Sequence, residues 1–130
     1  MRYSVGALSV TVTVANAADQ SRSDSIDLLV DTGATFTVLP PELCERLGVA
    51  AEFTRRLRTA DGRVLERDQG LAYVKVDGYA ATVPVIVGGN GVMPVLGVTS
   101  LEILGLAFDP VRRELVPSEH LYLTAVAMDG

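Results

Sequence analysis

Few side chains in this sequence are placed to do chemistry, and the clearest is an aspartate ending an apolar run. In LLVDTGATFTVLPPEL, residues 28–43, Leu28, Leu29 and Val30 lead into Asp31, and Thr32, Gly33, Ala34 and Thr35 follow. An aspartate and a glycine after a strand ordinarily mark no more than a turn. Three features point further. The strand before Asp31 is apolar, so the acid is delivered from the core. Thr32 brings a hydroxyl donor, and Gly33 lets a backbone or a ligand approach closely. Phe36, Val38 and Leu39 then return to apolar territory, which holds the turn on both sides.

Other chemistries lack the residues they need. Cys44 is the single cysteine and His120 the single histidine, near the C-terminus. One of each cannot build a zinc site of the usual ligand pattern. A Ser-His-Asp arrangement would hang on His120 alone. No metal or cofactor is therefore expected. Lys and Arg total 11 against 16 Asp and Glu, a net charge of −5, which argues against a nucleic-acid partner. The basic run Arg55, Arg56 and Arg58 reads as the solvated face of a strand. A lone cysteine excludes an internal disulfide and fits a reducing compartment. The N-terminal residues alternate polar and apolar with no h-region, and no run approaches a membrane span. A cytoplasmic protein without a membrane partner is expected.

The elements that must position Asp31 follow from the apolar pattern. With 48% hydrophobic and 21% charged residues over 130 positions, the chain reads as one globular domain. Val10, Val12 and Val14 alternate with Ser9, Thr11 and Thr13, the period of a half-buried strand. Residues 15–25 read as a polar loop and 26–30 as a second strand. Pro40, Pro41 and Glu42 open a short helix that Gly48 closes, with Cys44 on it as a buried, unreactive thiol. From Glu52 to Val87 the chain reads as hairpins, with turns at Asp61-Gly62 and Asp77-Gly78. Residues 88–94 form a loop, and Val95-Leu96-Gly97 a strand end. A second short helix follows, with Thr99 or Ser100 as N-cap and Gly105 as C-cap. A last hairpin turns at Asp109-Pro110. The pattern is mainly β with one or two short helices, pointing to a small closed barrel. A domain is expected over residues 1–117, with a tail of uncertain structure over 118–130.

LLVDTGATFTVLP, followed some way on by PVLGVTSLEILG, resembles the retropepsin-like single-domain aspartic proteases, in particular their small bacterial and archaeal members. The resemblance runs from Ser25 to Pro117. It implies the acid-protease barrel and peptide-bond hydrolysis. Asp31 matches the catalytic aspartate and Thr32 the threonine that braces two active-site loops across a subunit interface. Gly33 matches the glycine whose carbonyl helps hold the substrate backbone. Val95-Leu96-Gly97 matches the apolar-apolar-Gly element beneath the active-site loop. Thr59, Ala60, Asp61, Gly62 and Arg63 stand where the flap over bound peptide would be. Ala34, Val38, Met93 and Val95 fall among the substrate-lining positions. Retroviral members usually pair an Asp after D-T-G-A with an Arg after the apolar-apolar-Gly. Here those positions hold Thr35 and Val98. Losing both avoids an unpaired buried charge, which would cost about 3–5 kcal/mol.

The implied chemistry needs two carboxyls sharing a proton, whose titrations split because two like charges cannot both ionise cheaply. One acts as base on water, and the other hydrogen-bonds the scissile carbonyl. The chain has a single D-T-G, so the second must come from a second copy by two-fold symmetry. A homodimer cleaving peptide or protein substrates is expected. The alternative is a non-catalytic barrel of the same fold, used for peptide binding or dimerisation. Phosphoryl transfer on the aspartate is weaker, because those phosphatases want an acid where Gly33 stands.

Overall fold

In the computed structural model, which describes residues 8–118, a single sheet curls until its first strand meets its fifth. The elements, in order, are β1 (Ser9–Asn16), β2 (Ser23–Asp31), β3 (Thr37–Leu39), α1 (Pro41–Leu47), β4 (Phe53–Arg58) and β5 (Val64–Val76). Then come β6 (Tyr79–Val87), β7 (Val95–Gly97), α2 (Val98–Leu104), β8 (Leu106–Asp109) and β9 (Glu114–Pro117). The sheet order is β1-β2-β7-β3-β6-β5-β4, and an added β1–β5 pairing closes the first six into a barrel. This is the mainly β, closed-barrel architecture that the sequence implies. Strand β4 lies outside the ring: it pairs with residues 64–69 of β5, whereas β1 pairs with residues 72–75. The β4–β5 hairpin therefore extends beyond the barrel.

The alternation in β1 places Val12 and Val14 at zero exposure. They pack with Leu28, Leu39, Val74, Val83, Val85, Leu96 and Leu101 in one core. Both helices supply apolar faces to it: Leu43, Cys44 and Leu47 from α1, Leu101 and Leu104 from α2. Gly48 and Gly105 end these helices in the left-handed region, at φ 70° and 76°, as their C-cap positions demand. Asp77 and Gly78 take positive φ together, the two-residue hairpin turn that the sequence indicates.

Several details differ from the sequence reading. Strand β2 begins at Ser23, inside the stretch expected to be a loop, because Ser23 and Ser25 pair with Ala15 and Thr13 of β1. Asp61-Gly62 is part of a three-residue loop, closed by the Thr59 N–H on the Arg63 carbonyl at 2.8 Å. Neither Thr99 nor Ser100 caps α2, whose N-cap is Gly97 with no side-chain bond. Arg55 is not a solvated residue. It is half-buried, with its guanidinium 4.9 Å from the Phe36 ring centroid and 5.2 Å from that of Phe53. Arg56 and Arg58 are exposed. His120 lies outside the described residues, as does the tail beyond Ser118.

Candidate active site

Strand β7 is inserted between β2 and β3, the two strands that the Asp31 loop joins. It runs parallel to β2, with Leu29 opposite Val95 and Asp31 opposite Gly97. It runs antiparallel to β3, where Val38 meets Val95. Side chains alternate along β2, so Leu28 and Val30 turn to the main core while Leu29 and Asp31 take the other face. That face carries a second apolar cluster: Val38, Ile86 and Val95, with Ala34, Phe36, Leu57 and Val92 against it. Asp31 is thus carried out of the core onto the surface that this cluster floors.

The loop itself is fixed by short-range bonds. The Gly33 N–H donates to Asp31 Oδ1 at 2.9 Å, and the Ala34 N–H to the Asp31 carbonyl at 3.1 Å. A Cβ at Gly33 would lie 3.2 Å from Asp31 Oδ1, crowding the carboxylate that the N–H holds. The far side of the loop caps α2. Val98 and Thr99 donate their N–H groups to the Ala34 and Thr35 carbonyls, at 2.8 and 3.0 Å. These are orphan donors of the first helical turn, which explains why no side-chain cap is needed. Positions 35 and 98, where the resemblance leads one to look for an ion pair, are instead joined to this backbone network.

Beneath the loop, Thr37 and Ser100 are fully buried and their hydroxyls lie 2.6 Å apart. The Gly97 N–H donates to Thr37 Oγ1 at 3.0 Å. A Cβ at Gly97 would strike the Phe36 carbonyl, so the two chain segments can cross here only at glycine. Sequence reasoning passed over Thr37 and took Ser100 only as a possible cap of the second helix. The available signal was a small hydroxyl inside the apolar run FTVL, which must find a partner once buried.

The structure brings Ala34, Val38 and Val95 together in the second apolar cluster. Met93 is 42% exposed on the loop before β7, and its neighbour Val92 packs on the cluster. Ala60, Asp61 and Gly62 form the exposed tip of the β4–β5 hairpin. The Asp61 carboxylate accepts from the Thr59 hydroxyl and from Arg63 Nε, and these bonds hold its pKa below the usual value. Leu57, on the same hairpin, reaches the floor cluster. Thr32 and Gly33 are exposed and Asp31 half-buried. Beside Thr32 runs a groove of about 330 Å³, lined by Val98, Leu101, Leu106 and Phe108 among others. No group of metal-ligating side chains occurs among the described residues.

A family model described as "gag-polyprotein putative aspartyl protease" matches residues 7–103, well over half the chain. The chain belongs to this aspartyl protease family. The match takes in the Asp31 loop, the β4–β5 hairpin, β7 and all but the last residue of α2, and stops before the β8–β9 hairpin. No curated protein matches the sequence. Among the described residues no helix is long and apolar enough to cross a membrane.

Proposed function

We propose that this aspartyl protease family member is an endopeptidase that works as a homodimer, with Asp31 of each copy forming the catalytic pair. The observation that carries the reading is the setting of Asp31. Its carboxylate is tethered to the Gly33 N–H, lies on the strand face that carries the second apolar cluster and adjoins two exposed residues, Thr32 and Gly33. An acid so fixed and so open is suited to meet its counterpart across a two-fold axis. In the pair one carboxylate takes a proton from water as it attacks the scissile carbonyl. The other, protonated, donates a hydrogen bond to the carbonyl oxygen and later protonates the leaving amine. An extended peptide would lie between the hairpin tip at 60–62 and the floor of Ala34, Val38 and Val95.

The test is cleavage of an unbiased peptide library by the purified protein and by Asp31→Asn. The amide is nearly isosteric but cannot act as a base. Cleavage by the wild type that vanishes in the variant supports the reading. Equal turnover by both, or none by the wild type at any pH and concentration tried, refutes it and leaves a peptide-binding barrel.

A further inference from the structure

The inner face of the β4–β5 hairpin carries an arrangement that the hydrolytic reading does not use. Arg55 stands directly opposite Arg67 in the strand pairing. Both are half-buried, while Arg56 and Glu66, the next pair along, are exposed on the other face. Directly opposed like charges destabilise a hairpin. Among the described residues neither arginine forms a salt bridge, although Arg46, Arg56, Arg63 and Arg112 all do. Their contacts are to neutral groups. Arg55 Nε donates to the Gln69 side-chain oxygen, and its guanidinium lies over Phe36 and Phe53. Arg67 donates to the carbonyls of Glu66 and Asn90, each at 2.9 Å.

Two guanidiniums are thus held on one half-buried face without a counter-charge. Phe36, under Arg55, is also part of the apolar floor, and Leu57, the next inward residue of β4, packs on that floor. The basic pair therefore borders the second apolar cluster, on the side of the hairpin where Arg55 meets Phe36 at the end of the Asp31 loop. A carboxylate entering there would relieve the like-charge opposition and gain charge-assisted hydrogen bonds.

We propose that Arg55 and Arg67 form a subsite for a carboxylate on the bound peptide, an Asp or Glu side chain close to an apolar one. The inference rests on the reading of the cleft as a peptide site and names the class of peptide it selects. It makes Arg55 and Arg67 specificity-determining residues.

The experiment uses fluorogenic peptides drawn from library cleavage sites, synthesised in pairs that differ by Glu or Gln at one position. A hydrogen bond to a charged group predicts that one position favours Glu by about tenfold or more in kcat/KM. The preference should sit in KM and shrink with added salt. Arg67→Gln should abolish it, Arg67→Lys should keep part of it, and Arg67→Glu should favour Lys at that position. Folding of each variant is checked by its thermal melt. If Arg67→Gln does not fold, the wild-type ratio, its salt dependence and Arg67→Lys decide. Cleavage with a Glu/Gln ratio near one at every position overturns the subsite and leaves the protease reading standing. If nothing is cleaved, the protease reading falls, and binding of labelled peptides that place Glu or Gln beside an apolar residue in otherwise identical sequences decides. A Glu preference lost in Arg67→Gln then supports the subsite, and equal or absent binding overturns it.

Discussion

The Thr37 and Ser100 hydroxyls meet at 2.6 Å in the interior, joining the strand after the Asp31 loop to the helix that the same loop caps. Thr37 Oγ1 also accepts the Gly97 N–H, so one side chain ties β3, β7 and α2 together. Because these groups are shielded from water, each bond matters mainly through what its loss would leave unpaired.

Thr37→Val keeps the shape but strands both the Gly97 N–H and the Ser100 hydroxyl. A loss of about 1–3 kcal/mol in unfolding free energy is expected, the usual range for an orphaned buried polar group. Ser100→Ala removes a single partner and should cost less. The double variant should fall short of the sum, because the two changes share one bond. Denaturant titrations at a fixed protein concentration measure all three. A Thr37→Val protein as stable as the wild type would deny the hydroxyl network any structural weight.

Gly97→Ala tests the crossing of β7 under the loop. The obstacle is space, since the new Cβ meets the Phe36 carbonyl, which is backbone and cannot swing aside. Overpacking of this kind typically costs about 1–3 kcal/mol. The displaced segment is continuous with the Asp31 loop, so cleavage should fall further than stability alone explains. Gly62 is the contrasting case: nothing lies within 4 Å of its Cβ position, and only its φ of 91° constrains it. Asn tolerates that backbone region, so Gly62→Asn should be mild where Gly97→Asn is severe. Similar melting curves for the two variants would show the crossing to be looser than its geometry.

The contrast between local and distant partners also separates what the sequence disclosed from what it hid. Val12 and Val14, Gly48, Gly105 and Asp77-Gly78 were legible because each signals through neighbours a few residues away. Asp31 stood out as a candidate because an acid between apolar strands conflicts with its surroundings, and its place at the end of β2 follows that pattern. The insertion of β7 between β2 and β3 was not, since residues 29–31 and 95–97 are joined only by tertiary pairing. The start of α2 was misread for a related reason. Its cap comes from the Ala34 and Thr35 carbonyls, and backbone donors and acceptors carry no sequence signature. Arg55 read as solvated because a charge run ordinarily is, and only the placement of Phe36 beneath it changes that.

Cys44 should behave as an inert thiol in the folded protein. It is 3% exposed, and burial, with the nearby Glu42 charge adding to it, pushes its pKa from 9.0 up to about 11. At pH 8 iodoacetamide should leave the native protein unmodified and label it in denaturant. The linkage sign follows from the raised value: above pH 9 the unfolded thiol ionises while the folded one stays protonated. Stability is therefore unaffected below about pH 9 and declines between 9 and about 11. Cys44→Ala should lack that portion of the decline, with other alkaline titrations common to both proteins. Rapid alkylation of the native protein at pH 8 would contradict the buried setting.

A change at Thr32 tests the fold of one chain separately from the proposed assembly of two. Its side chain is exposed and makes no hydrogen bond among the described residues. Thr32→Ala should therefore leave the single-chain fold nearly unchanged, within about 0.5 kcal/mol, as exposed substitutions generally do. In the proposed dimer the same hydroxyl sits beside the symmetry axis and would bond to the partner loop, once in each half. Two bonds of about 0.5–1.5 kcal/mol predict a dimer Kd raised roughly 5- to 150-fold. Sedimentation and activity measured over a dilution series read this directly, with specific activity falling at higher concentrations in the variant than in the wild type. Mixing wild type with excess Asp31→Asn adds an independent check. Exchange of subunits produces heterodimers with one carboxylate, and activity per wild-type chain should drop. Activity constant on dilution to the nanomolar range and indifferent to exchanged mutant subunits would mean that each chain works alone. One Asp31 per chain would then have to suffice, and the shared pair would be the wrong mechanism.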